Sequence, residues 1–150
     1  MTVEQRVALR LALARDEGIR LAAYPDHLGF LTIGIGRLID PRKAGAGISQ
    51  AEAEYLCDND IRRCLSDLEA FAWFQALNPV RQNAVLNMRF QLGLGGFRGF
   101  RKMLEALAQG DYIGAGEEGR NSSWARTQTP ERANRVMGEL ETGYIRENKT

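Results

Sequence analysis

Three side chains within a short stretch could together do acid–base chemistry: Glu17, Asp26 and Thr32 in "DEGIRLAAYPDHLGFLTIGIG", residues 16 to 36. Eight residues separate the glutamate from the aspartate and five separate the aspartate from the threonine. A carboxylic acid that keeps its proton near neutral pH can donate it to a leaving oxygen, while a second, ionised carboxylate accepts a proton from water. A hydroxyl beside that carboxylate can hold the water. Taken singly, each residue has a plainer reading: Glu17 as a solvated surface acid, Asp26 as an Asx-turn residue after Pro25, and Thr32 as a β-former. Those local roles are compatible with the chemistry. His27 beside Asp26 suggests a dyad, but an exposed turn histidine is the simpler reading.

The elements that must carry these residues follow from hydrophobic period. Val3, Val7 and Leu11, with Ala8 and Ala14, mark a face of an N-terminal helix that Gly18 terminates, which puts Glu17 at the negative end of its dipole. That position disfavours the charged form of the glutamate, and a closed cleft would desolvate it further. Alternation over Ile19–Tyr24 and Phe30–Ile35 predicts a β-hairpin at about 19–37, with Asp26 in or beside its "YPDHLG" turn and Thr32 on its second strand. Asp26, in an open polar turn, is expected to stay ionised.

"DPRKAGAG" (40 to 47) reads as a loop, and "SQAE" (49 to 52) as a capping box opening a helix that reaches about Glu69. Asn78 and Pro79 form an N-cap and first-turn pair for an apolar, centrally buried helix that Gly93 stops. A shorter helix ends at Gly110. The Gly-rich stretch 111–123 is expected to be weakly helical, because glycine costs about 1 kcal/mol relative to alanine in a helix interior. Thr129 and Pro130 begin a last helix. Phe71, Trp73 and Phe74 read as core. "GAGEEG" (114 to 119) matches the GxGxxG pattern only formally, since no convincing strand precedes it and no βαβ unit surrounds it.

The 150 residues and an apolar content of 44% suit one domain over 1–150 with a real core. A formal charge of +1 lacks the surplus of a dedicated nucleic-acid or membrane binder, although the second half of the chain is mildly basic. No apolar run approaches a membrane span, and the N-terminal segment is too often interrupted by Arg and Glu for a signal peptide. Cys57 and Cys64, about 10.5 Å apart along a helix, are beyond disulfide reach and read as reduced core thiols. With one histidine and no CxxC or HxxxH spacing, neither a metal site nor a cofactor is expected.

Three ordered motifs resemble the phage-type lysozymes (endolysins), of the T-even type. They are the Glu17, Asp26 and Thr32 spacing followed by the Gly-Ile-Gly strand, "NMRFQLG" at 87 to 93, and "WARTQTPERANRV" at 124 to 136. The resemblance implies an α+β, mostly helical lysozyme-like fold with its hairpin subregion beside an active-site cleft. It implies hydrolysis of the β-1,4 bond between N-acetylmuramic acid and N-acetylglucosamine in peptidoglycan. Glycosidic cleavage needs the acid and base described above, so Glu17 would be the general acid and Asp26 with Thr32 would direct water.

By the same matching, Leu38, Phe90 and Gln91 would line the sugar cleft. Arg132 would lie beside Glu17 and lower its pKa, Arg135 would pair with Asp16, and Arg37 with Asp60. Arg37 stands where the T-even type has a histidine, the 37–60 stretch is shorter, and Met103 and Glu118 replace polar substrate contacts. A monomer kept in a host cytoplasm until a holin opens the membrane is the implied setting. The alternatives are a lytic transglycosylase of the same fold and a catalytically silent wall-binding protein.

Overall fold

A computed structural model describes residues 1–145 and divides into two compact units, Met1–Tyr55 and the chain from Leu56 onward. In the first unit, α1 (Val3–Glu17) opens with a capping box. Thr2 Oγ1 accepts from the Gln5 amide at 3.2 Å, and the Gln5 side chain accepts from the Thr2 amide at 2.8 Å. Gly18 caps its far end.

A three-stranded antiparallel sheet follows, in the order β1 (Arg20–Pro25), β2 (Leu31–Gly34) and β3 (Arg37–Leu38). The expected hairpin is therefore present and is extended by a third strand. Two residues cannot announce a strand by alternation; β3 forms because the tight glycine turn brings Arg37 opposite Ile33 and Leu38 opposite Thr32. A bulge in β1 between Arg20 and Tyr24 shifts the register of the first pair of strands.

Helix α2 (Gln50–Glu69) begins with the predicted box. Ser49 Oγ accepts from the Glu52 amide at 3.2 Å, while Glu52 Oε2 accepts from the Ser49 amide at 2.8 Å.

The hydrophobic core of the second unit is built on α3 (Pro79–Arg98), which loses helical geometry at Gly93 as the sequence predicts. Asn78 Oδ1 accepts from the Arg81 amide at 2.9 Å, with Pro79 at the first helical position. Ala84, Val85 and Met88 of α3 are buried together with Phe74 before it and Val136, Met137 and Leu140 of α6 (Pro130–Thr142). Phe71 and Trp73 pack partly buried against that core. Helix α4 (Arg101–Ala108) adds Met103 and Leu107.

The Gly-rich stretch corrects the expectation of a weak helix, because α5 (Tyr112–Arg120) is a helix of nine residues. Its glycines are contact points. A Cβ on Gly116 would collide with the Glu141 side chain and one on Gly119 with Met137, so their absence lets α5 lie against α6. Burial on α6 offsets the local propensity cost. The formal GxGxxG match falls inside this helix, with Asp111 Oδ1 capping its start by accepting from the Gly114 amide at 2.9 Å. Between α5 and α6, residues Trp124–Gln128 form one π-helical turn.

Candidate active site

Glu17, Asp26 and Thr32 occupy successive elements of the first unit. Glu17 is the last residue of α1. Gly36, with φ +70°, passes close to its carboxyl group, and a Cβ built there would sit 3.6 Å from Glu17 Oε2. The positive φ favours glycine at the turn that faces the acid, while a Cβ there would make only ordinary contact with the carboxyl group.

Asp26 lies one residue beyond β1 and closes the turn to β2. Its amide donates to Phe30 O at 2.9 Å, and its carbonyl accepts from the Gly29 amide at 2.9 Å. Its carboxylate Oδ1 accepts from the amides of Leu28 (2.8 Å) and Phe30 (2.9 Å). The Phe30 N–H is the largest cause that holds the Asp26 pKa below its ordinary value; partial burial opposes it, while the Leu28 N–H and the charge of exposed His27 add to it.

Thr32 is buried at 5% exposure on the central strand, and its hydroxyl donates to Phe30 O at 3.2 Å. Directly opposed residues of an antiparallel pair share a sheet face, as do alternate residues along a strand. Tyr24 opposes Thr32, Thr32 opposes Leu38, and the Asp26–Phe30 hydrogen bond continues the ladder into the turn. Asp26, Thr32 and Leu38 therefore belong to one face, joined through Phe30.

Sequence reasoning missed an ion pair behind this turn, between a buried Asp40 and a largely exposed Arg42. Asp40 is 1% exposed. Its Oδ1 accepts from the Arg42 amide (3.0 Å) and Nε (2.8 Å), and its Oδ2 from Arg42 Nη2 (2.6 Å) and the Leu31 amide (2.9 Å). The Arg42 guanidinium, followed by the Leu31 N–H, holds the Asp40 carboxyl far below the usual carboxylate range. Arg42 Nη2 also donates to Gly29 O at 2.9 Å. The signal was an Asp before Pro with Arg two residues on; a loop reading gave those charges no partners.

The members of the two expected ion pairs each take another partner inside their own unit. Arg37 Nη2 and Nη1 donate to the two carboxylate oxygens of Glu52, at 2.7 and 3.2 Å, and Asp60 pairs with Arg63 one helical turn away. The Ser49 cap already fixes the Glu52 carboxylate, so a prepared acceptor stands beside the Arg37 fork. Arg135 takes Glu139 on its own helix at 3.2 Å, and Asp16 has its neighbour Arg15 at 3.8 Å.

In the second unit, Phe90 lines a cavity of about 340 Å³ with Leu86, Asn87, Cys57, Cys64 and Arg132. Arg132 Nε donates to Asn87 Oδ1 at 2.9 Å, which fixes the guanidinium on α3. Gln91, expected in the sugar cleft, has both ends of its amide occupied. Nε2 donates to Thr129 Oγ1 at 3.1 Å, and Oε1 accepts from buried Trp124 Nε1 at 3.0 Å. It serves as an internal bridge. Met103 is core, and Glu118 is half-buried. Cys64 is buried, which pushes its thiol pKa up, whereas Cys57, two turns earlier on the same face of α2 and lining the same open cavity, is exposed rather than core. Among the described residues no group of three His, Cys, Asp or Glu is arranged to hold a metal ion.

Comparison with known proteins places these residues in context. The family model described as "Phage lysozyme" matches residues 14–138. The chain is 37% identical to the pre-baseplate central spike protein Gp5 of Enterobacteria phage T4, over 89% of this chain and 27% of that protein. It is 32% identical to probable T4-type lysozyme 2 of Dictyostelium discoideum, over 95% of this chain and 98% of that one. It is 29% identical to peptidoglycan hydrolase gp36 of Pseudomonas phage phiKMV, over 83% of this chain and 14% of the other. The chain thus spans a minor part of the two phage proteins and nearly all of the Dictyostelium protein.

Proposed function

This chain belongs to the phage lysozyme family, whose members are lysozyme-type glycoside hydrolases, and on that premise we propose that it cleaves peptidoglycan with Glu17, Asp26 and Thr32. The bond is the β-1,4 link between N-acetylmuramic acid and N-acetylglucosamine. Glu17, at the end of α1, gives its proton to the glycosidic oxygen as the bond to the anomeric carbon breaks. Asp26 takes a proton from a water molecule that attacks that carbon from the opposite face of the sugar, which inverts its configuration. The Thr32 hydroxyl, donating to Phe30 O, retains lone pairs that accept from this water and hold it between threonine and aspartate.

The observation that carries the reading is the shared sheet face of Asp26 and Thr32, with Asp26 kept ionised by the Phe30 and Leu28 amides. Leu38 on the same face would contact sugar, as would Phe90 at the α3 cavity of the second unit. In a phage setting a holin would give the enzyme, acting as a monomer, passage from the host cytoplasm to the wall.

Clearing of permeabilised Gram-negative cells, followed by mass spectrometry of the released fragments, tests the function. Reducing N-acetylmuramic acid ends are expected. Predominant 1,6-anhydro ends would identify a lytic transglycosylase, and no clearing would leave a wall-binding role.

A further inference from the structure

We propose that Asp40 and Arg42 are positioning residues for the water-activating pair, acting as a clamp on the two peptide units that flank Phe30. The inference rests on the proposed roles of Asp26 and Thr32 and adds what sets their geometry. Phe30 is the residue both depend on: its amide holds the Asp26 carboxylate at 2.9 Å, and its carbonyl receives the Thr32 hydroxyl at 3.2 Å. The clamp holds the backbone on either side. Arg42 Nη2 donates to Gly29 O just before Phe30, and Asp40 Oδ2 accepts from the Leu31 amide just after it. The Arg42 guanidinium also lies over the Phe30 ring, 5.1 Å from its centroid, and Lys43 Nζ stands 3.9 Å from it.

A four-residue polar turn buries little apolar surface of its own, so its geometry needs an external restraint. A buried carboxylate with four hydrogen bonds and a forked partner is a rigid one. The ion pair is also asymmetric, with Asp40 buried and the Arg42 side chain largely exposed, so the fixed carboxylate anchors the arginine to the turn.

The charged and titratable groups around Asp26 are His27 next to it, Asp40, Arg42 and Lys43 around Phe30, and Arg20 over the Tyr24 ring on β1. They make the test discriminating in sign. Replacing Asp40 by Asn removes a negative charge and frees a positive one, which by Coulomb's law alone would lower the Asp26 pKa. Loosening the Phe30 and Leu28 amides would raise it instead. Arg42→Lys leaves the net charge unchanged and removes only the fork.

The experiment is a carbon NMR titration of the Asp26 carboxyl in wild type, Asp40→Asn and Arg42→Lys, each checked for folding by circular dichroism, together with pH–rate profiles. The Asp26 titration and the acid limb of kcat are expected to move to higher pH in both variants. Optimal kcat should fall by about 10²-fold, as for other small misplacements of reacting groups, with KM unchanged. If Asp40→Asn does not fold, Arg42→Lys alone decides. An Asp26 carboxyl that titrates as in wild type, or moves to lower pH, overturns the inference. Wild-type lysis by Asp26→Asn would be a separate result, removing Asp26 from the reaction itself.

Discussion

The turn and strands from Arg20 to Asp40 bury two polar side chains, Thr32 and Asp40, and fix their backbone through carboxylates that accept from amides and a guanidinium. Helices α3 to α6 do the reverse: Met88, Phe97, Leu107, Val136 and Leu140 are fully enclosed, and apolar contact sets their packing. The first arrangement is directional and depends on ionisation; the second is non-directional and depends on volume. With Asp26 and Thr32 as the proposed reacting groups, activity would be sensitive to single hydrogen bonds of the hairpin, while apolar packing would set the stability of the second unit.

The sharpest break in that comparison comes from Glu17→Gln. An amide cannot donate the proton, so lysis should fall by at least the 10²–10⁴-fold typical of general acid catalysis, with no loss of melting temperature, because Glu17 is exposed, belongs to no core and stands at the negative end of the α1 dipole. Activity within tenfold of wild type would remove it from the reaction. The reverse pattern is expected for Trp124→Ala in the apolar unit. It should cost about 3–5 kcal/mol in denaturant unfolding, while kcat per folded molecule stays near wild type. A loss below 1 kcal/mol would mean the core does not depend on this indole.

Gln91 sharpens the boundary between the two kinds of residue. As a bridge between Trp124 and Thr129, its replacement by Ala strands a buried indole N–H and should cost about 1–3 kcal/mol with KM unchanged. A raised KM with wild-type stability would return Gln91 to the sugar cleft.

The smallest effect belongs to the Arg37–Glu52 pair on the exposed edge of the first unit. The Ser49 amide and hydroxyl, with Arg37, lower the Glu52 pKa. Its stabilisation is therefore complete above its unfolded value of about 4.3 and lost as pH falls through the lower folded value. Arginine keeps its charge at high pH, so the melting difference between wild type and Glu52→Gln should be small, flat from about pH 6 to 9 and reduced in acid. A difference that also fades on the alkaline side would contradict the pairing.

Local signals carried much of this architecture into view. Ser49 with Glu52, Asn78 with Pro79, and Gly93 marked helix ends because capping chemistry is written within four residues. Apolar alternation on either side of the "YPDHLG" turn located the hairpin. What escaped depended on residues distant in sequence. Gly116 and Gly119 looked like helix breakers until Glu141 and Met137 were found against them. Arg37 and Gln91 had several polar groups to choose from, and only the fold selects Glu52 for one and Trp124 with Thr129 for the other. Asp40 and Arg42 were legible as a turn but not as an ion pair with a buried carboxylate, because burial is not a local property.

The account turns on Asp26 and Thr32 acting through water rather than Asp26 attacking the sugar directly. Inverting enzymes hold their carboxyl groups about 6.5–9.5 Å apart to admit that water, and retaining enzymes about 5–5.5 Å apart for a covalent intermediate. A hydroxyl on the same sheet face as the carboxylate has a place in the first scheme. Proton NMR of the newly formed reducing end, recorded before mutarotation, reads the outcome. The account predicts the α-anomer from the β-linked substrate; β-anomer as the first product would make Asp26 a nucleophile and contradict it.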